Sequence, residues 1–169
     1  MAEQVPPDDA VLIRFSMRSP YWPMSMSYGL FMDHALRIAF ASLDHYLGYR
    51  MLADPSDKQR VLKAPNGYLA HMELLNIMRA DTFGRSVSPT WERDRNSIMD
   101  EGVRLKYSQS SMLRDMLVRT GHRPIFDVSR DDEHHWCHAS GVGANAHGKS
   151  LMLLRERILR GEDVSTAVA

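Results

Sequence analysis

Residues 143–150 read GANAHGKS and match G-x-x-x-x-G-K-[ST] at every fixed position. As a phosphate loop, this stretch predicts a parallel α/β fold. Its backbone N–H groups cradle phosphates only where a buried strand leads in and a helix leads out. The flanks do not supply that setting. The residues before it, HHWCHASGV, are not a hydrophobic strand, and only 19 residues follow Ser150. No alternation of strands and helices precedes the loop. The stretch is better read as a glycine-rich turn opening a last helix, from Gly148 or Lys149 to Arg160, with Gly161 as its stop. Such a turn can still present N–H groups to an anion.

Moving back along the chain, helix signals dominate. Ser110 and Ser111 open a short amphipathic helix (MLRDMLVR) that ends at Gly121, and Thr90 precedes a long one from Trp91 to about Tyr107. Residues 68–80 are strongly helical. Ser56–Lys63 form another helix, stopped before Ala64-Pro65. Ser42 is placed to cap a helix from Leu43 to about Ala53, on which Leu43, Tyr46, Leu47 and Arg50 share a face. Strand candidates are few and short: residues 11–15, residues 124–128, and residues 35–41 as either a strand or a first helical turn. The stretch SPYWPMSMSYG reads as a loop. The expected fold class is therefore α+β and mainly helical: one domain over residues 11–160, a flexible tail at 1–10 and a frayed end at 161–169.

Composition bounds the function. The chain has 169 residues, enough to bury a core without disulfides or metal. Hydrophobic residues make up 44% and charged residues 25%, which excludes disorder and fibrous repeats. Lys+Arg and Asp+Glu are both 21, so bulk charge does not draw the chain to nucleic acid. The lone cysteine, Cys137, fits a reducing cytoplasm, and no apolar run is long enough to span a membrane. Neutral charge and Met-rich segments permit a homo-oligomer without requiring one.

Two clusters carry possible chemistry. HHWCH at 134–138 offers imidazole and thiolate, the ligands zinc prefers, but it lacks a second cysteine and the spacing of a structural site. No metal and no cofactor is expected. The carboxylates Asp44 (in LDHY) and Asp131, Asp132 and Glu133 (in DDEHHW) flank aromatic or histidine residues. Breaking a glycosidic bond commonly uses such a pair: one group protonates the leaving atom, the other stabilises positive charge on the sugar.

In order, these pieces resemble the NADAR (YbiA-like) family from about Ser25 to Ile158. Ser42-Leu43-Asp44-His45-Tyr46 is similar to the family's S-x-E-H-Y. Gly84-Arg85 with Trp91 and Arg95 resembles its G-R and tryptophan, and Lys106-Tyr107-Ser108-Gln109 its K-F-x-Q. Thr120-Gly121 matches a T-G. The acid cluster with Trp136 resembles D-x-x-W-G. Gly143, Asn145, Gly148, Leu151, Met152 and Arg155 match G-x-N-x-x-G-x-x-L-M-x-x-R, which makes the phosphate-loop pattern a coincidence.

The resemblance implies a small, mostly helical domain that hydrolyses N-glycosidic bonds. The substrate would be a ribosyl phosphate of the early riboflavin pathway, or an ADP-ribosyl group on guanine, including that of modified nucleic acid. It implies Asp44 in place of the catalytic glutamate, with Asp132 or Glu133 as second acid. Lys106 is the one motif-matched lysine for imine chemistry. Tyr28, His45, Arg85, Trp91, Trp136, Gly143, Asn145 and Gly148 would contact substrate. The chain departs from the family where F-Q-A-Q-K-F is usual and Leu47-Gly48-Tyr49-Arg50-Met51-Leu52 stands instead. Two readings follow: a divergent N-glycosidase, or a non-catalytic ADP-ribose or nucleotide binder acting as a sensor or assembly component.

Overall fold

The computed structural model describes residues 5–14, 16, 18–130, 135–138 and 142–165. In chain order the elements are β1 (Val11–Ile13), a 3-10 turn (Trp22–Met24), β2 (Phe31–Asp33), β3 (Ile38–Phe40), α1 (Leu43–Met51) and α2 (Pro55–Leu62). Then follow α3 (Gly67–Ala80), α4 (Trp91–Ser108), α5 (Ser111–Arg119), β4 (Ile125–Asp127) and α6 (Ala146–Leu159). The fold class is α+β and mainly helical. No described helix is long and apolar enough to cross a membrane.

The chain divides into two units, one of Met1–Ser25 with Tyr107–Ala169 and one of Met26–Lys106. In the first, β1 and β4 pair in parallel, with Val11 opposite Ile125 and Ile13 opposite Asp127. All three residues of β4 are buried, and α6 packs on this strand. Three residues per strand leave little periodicity to detect, and the expected strand at 11–15 ends at Ile13 (Phe15 lies outside the described residues).

In the Met26–Lys106 unit, β2 and β3 form an antiparallel hairpin in register Phe31 to Phe40. The Asp33 carboxylate closes its turn by accepting from the N–H groups of Ala35 and Leu36, both at 3.0 Å. The hairpin delivers Phe31 and Phe40 to Tyr46 of α1, with ring centroids 5.1–5.8 Å apart. Two glycines let helices close in on α1. A Cβ at Gly102 would lie 2.6 Å from Leu43 Cδ1, and one at Gly48 would lie 2.8 Å from Val61 Cγ1.

Helix starts follow the local chemistry. Asp54 accepts from the N–H groups of Ser56 and Asp57 with Pro55 in the first turn, and Asn66 accepts from Leu69 N–H at 2.9 Å. Ser110 accepts from Leu113 N–H. Ser42 is the exception. It stands at the N-cap of α1, yet its side chain caps no backbone N–H.

Candidate active site

What Ser42 does instead begins the site. Its Oγ lies 2.8 Å from His45 Nδ1, and His45 Nε2 lies 3.0 Å from the Ala64 carbonyl oxygen. A carbonyl only accepts, so Nε2 carries the ring proton toward Ala64. A neutral ring then has its lone pair on Nδ1, and the Ser42 hydroxyl donates to it. Both residues are sealed, Ser42 at 0% and His45 at 1% exposure. With both ring nitrogens engaged inside the protein, His45 is a supporting residue.

Asp44 lies between them in sequence, in the first turn of α1. Its backbone N–H donates to the Met26 carbonyl at 3.2 Å, and its Oδ2 accepts from the Ser27 hydroxyl at 2.6 Å. The segment 26–27 thus grips Asp44 by backbone and by side chain. The start of α3 closes in from another side. A Cβ at Gly67 would lie 2.5 Å from Ser27 Cα, 2.6 Å from Ser42 Oγ and 2.9 Å from Asp44 Oδ2. Gly67 is the first residue of a fourteen-residue helix, whose N-terminus carries partial positive charge suited to a carboxylate. The result is a buried carboxylate, 5% exposed, fixed by three chain segments.

Ser27, Ser42 and Gly67 are the supporting residues that sequence reasoning did not assign to the site. The available signal was local: serine and histidine at N-cap and third helical positions, and glycine directly after a capping asparagine. Gly67→Ala is expected to destabilise the protein by ~1–3 kcal/mol in urea unfolding, because the nearest obstacle is backbone rather than a flexible side chain. An unchanged unfolding midpoint would mean that α3 does not close on Asp44 this tightly.

The other expected residues fall in several settings. Lys106 in α4 is 1% exposed and Trp91 is 4% exposed. Tyr28 is half-buried. Arg85 is exposed on the loop after α3, its guanidinium 5.4 Å from the ring centroid of Phe83. That loop is tied back by the Asp81 carboxylate, which accepts from the N–H groups of Ser86 and Phe83. The Ser86 N–H bond is the largest of the hydrogen bonds that pull its pKa down to about 2. Asp132 and Glu133 lie outside the described residues.

Trp136, Gly143, Asn145 and Gly148 belong to the other unit. There the structure gives the glycine turn a packing role. The helix starts at Ala146, and Asn145 holds a left-handed conformation (φ 54°). The N–H groups of Asn145, Ala146 and His147 donate to the carbonyls of Cys137, His135 and Trp136. The Asn145 side chain accepts from Asp127 N–H at 3.0 Å and donates to the Ile125 carbonyl at 2.9 Å. At Gly148 a Cβ would collide with that same Ile125 carbonyl. Asn145 and Gly148 therefore seat α6 on β4, and the N–H groups of Asn145, Ala146 and His147 are spent within the protein. Trp136 is buried at 8% exposure. Among the described residues, no three His, Cys, Asp or Glu side chains are grouped to hold a metal.

The sequence model of the NADAR domain matches residues 14–159. The chain belongs to the NADAR family. It is similar to a protein of Nostoc punctiforme named as an N-glycosidase, 25% identical over 140 residues that span 81% of this chain and 88% of the relative. A protein of Acanthamoeba polyphaga mimivirus, also named as an N-glycosidase, is 33% identical over 89 residues, 43% of this chain and 49% of that one. Among solved structures, the Escherichia coli protein YbiA superposes with a TM-score of 0.71 at 18% identity, covering 95% of each chain. At that identity the likeness speaks for the fold. The NADAR fold thus accommodates both the short paired strands and the helix succession described above.

Proposed function

We propose that this NADAR chain is an N-glycosidase that hydrolyses the bond between ribose and a nitrogenous base in a ribosyl-phosphate or ADP-ribosyl substrate. The observation that carries this reading is Asp44. It is a carboxylate buried to 5% exposure, held by the Ser27 hydroxyl and set against the first residue of α3. Cleaving an N-glycosidic bond builds positive charge on the sugar's anomeric carbon, and a fixed carboxylate beside it lowers that barrier. Asp44 stabilises this charge and orients the attacking water. The water's oxygen bonds to the anomeric carbon as the C–N bond breaks, its proton passes to the Asp44 carboxylate, and the base leaves with a proton. The second acid, Asp132 or Glu133, supplies that proton. A lysine as buried as Lys106 suits the alternative nucleophile of an imine route through the opened sugar. The names of the two relatives support N-glycoside chemistry.

The test is product analysis with the full chain. It is incubated separately with ADP-ribosylated guanosine and with the ribosyl-phosphate amine of the early riboflavin pathway. Release of free base from one of them, in proportion to enzyme, is expected and identifies the leaving group. Tight binding of ADP-ribose with no product from either substrate over a long incubation would overturn the enzymatic reading in favour of a binder.

A further inference from the structure

The unit that carries α5 and α6 holds a charged recess. His122, Arg155, Glu156, Leu159 and Arg160 line a cleft of about 300 Å³ at the end of α6. Arg155 is the unusual member. It is 5% exposed, and buried guanidinium groups ordinarily face a carboxylate. Here both Nη1 protons go to neutral acceptors, Thr120 Oγ1 at 2.7 Å and the Arg123 carbonyl at 2.8 Å. Among the described residues, the Nε–H and Nη2–H groups take no partner. None of its nitrogens is both sealed from solvent and unsatisfied, so the free edge opens on the cleft it lines. That edge presents two parallel N–H bonds, the fork that matches an oxyanion bidentately.

The charges nearby do not neutralise it. Burial, foremost, pulls the Arg155 pKa down; Glu156 raises it and the Arg123 charge lowers it again. Glu156 forms no ion pair with Arg155. Arg160 is held in place by Glu162 through Nε and Nη2, both at 2.8 Å, which leaves its Nη1 for the cleft.

We propose that this cleft is a binding site for the phosphate group of a phosphate monoester, with the Nε–Nη2 edge of Arg155 as anchor. Arg160 and His122 add donors on the rim, and a dianion with three terminal oxygens uses them where a carboxylate would be satisfied by the fork alone. The Glu156 carboxylate accepts from a hydroxyl beside the phosphate and repels a second phosphate, so the site selects a monoester over a diphosphate. This site stands apart from the Asp44 reading and does not depend on it.

The test follows the arginine Nε–H and histidine side-chain signals of the full chain by ¹H–¹⁵N NMR. The probes are inorganic phosphate and ribose 5-phosphate, against sodium chloride at matched ionic strength. A saturable shift of the Arg155 Nε–H signal is expected with both. The exposed double variant H122A/R160A is expected to fold normally and to weaken the affinity about tenfold, the effect of losing charge-assisted hydrogen bonds. Arg155→Lys, which keeps the charge and loses the fork, should weaken it at least as much; should that variant fail to fold, the surface pair decides. Asp44→Asn should leave the affinity unchanged, which separates this site from the proposed catalytic one. A shift no larger than that caused by chloride, or the same affinity in H122A/R160A, would overturn the proposal.

Discussion

Asp44→Asn is expected to lower turnover by ~10³-fold or more while the protein unfolds at the same urea concentration as the wild type. The substitution keeps the shape of the side chain. Its amide oxygen still accepts from Ser27, and the backbone bond to Met26 is untouched. What disappears is the negative charge, the one property that stabilises a cationic sugar. Electrostatic groups of this kind account for about 10²–10³ in rate, and a group that also takes part in proton transfer for 10²–10⁴. Single-turnover release of free base measures the loss, and urea unfolding checks the fold. Undiminished turnover would remove Asp44 from the mechanism and shift attention to Lys106. The longer Asp44→Glu variant, which restores the residue of the family motif, is also expected to lose rate. A would-be Cβ at Gly67 already stands only 2.9 Å from Asp44 Oδ2, so another methylene pushes against α3 or against the 26–27 segment. Displacements near an ångström cost about 10²-fold.

Asp44 was legible in the sequence through its motif and its place in the first turn of α1. Its setting was not, because that setting is tertiary. Ser27 is seventeen residues away, and Gly67 approaches from a different helix. The same division runs through the fold. Helix starts at Asp54, Asn66 and Ser110 are written in capping chemistry that acts within three residues, so the sequence reads them nearly to the residue. The hairpin at 31–40 was only half visible, since a three-residue strand lies below the length at which alternation can be counted. The family motif around Asn145 and Gly148 was visible as a pattern, and its packing role was not. Only the position of the Ile125 carbonyl and the Asp127 N–H reveals that the pattern encodes helix-on-strand packing.

The least legible feature yields the largest stability effect. In the sequence His147 is only a variable position of the GANAHGKS stretch, yet its Nδ1 lies 2.6 Å from Asp127 Oδ2 and both side chains are fully buried. Asp127 is a junction: its N–H donates to Asn145, its carbonyl accepts from His138 N–H at 2.6 Å, and its carboxylate also accepts from Ser129 N–H at 2.9 Å. Burial alone would raise the Asp127 pKa; the His147 hydrogen bond and charge, with the Ser129 bonds, outweigh it and hold the pKa below its ordinary value. The sign follows. A carboxyl depressed in the folded state stabilises the protein above its unfolded pKa, about 3.9, and that contribution is lost as pH falls through the folded value. Breaking a buried pair from one side leaves the partner uncompensated and costs ~3–5 kcal/mol. Asp127→Asn is therefore expected to cost about 3 kcal/mol in urea unfolding at pH 7, and to flatten the decline of stability in acid. His147→Leu alone should also destabilise, because it strands the carboxylate. Among the described residues, His147 Nε2 has no hydrogen-bond partner. The double replacement Asp127→Val with His147→Leu removes the buried pair as a whole, so it should be more stable than either Asp127→Val or His147→Leu alone. Strictly additive losses across the cycle would mean that the two side chains do not act as a pair, and that α6 is held on β4 by Asn145 and Gly148 alone.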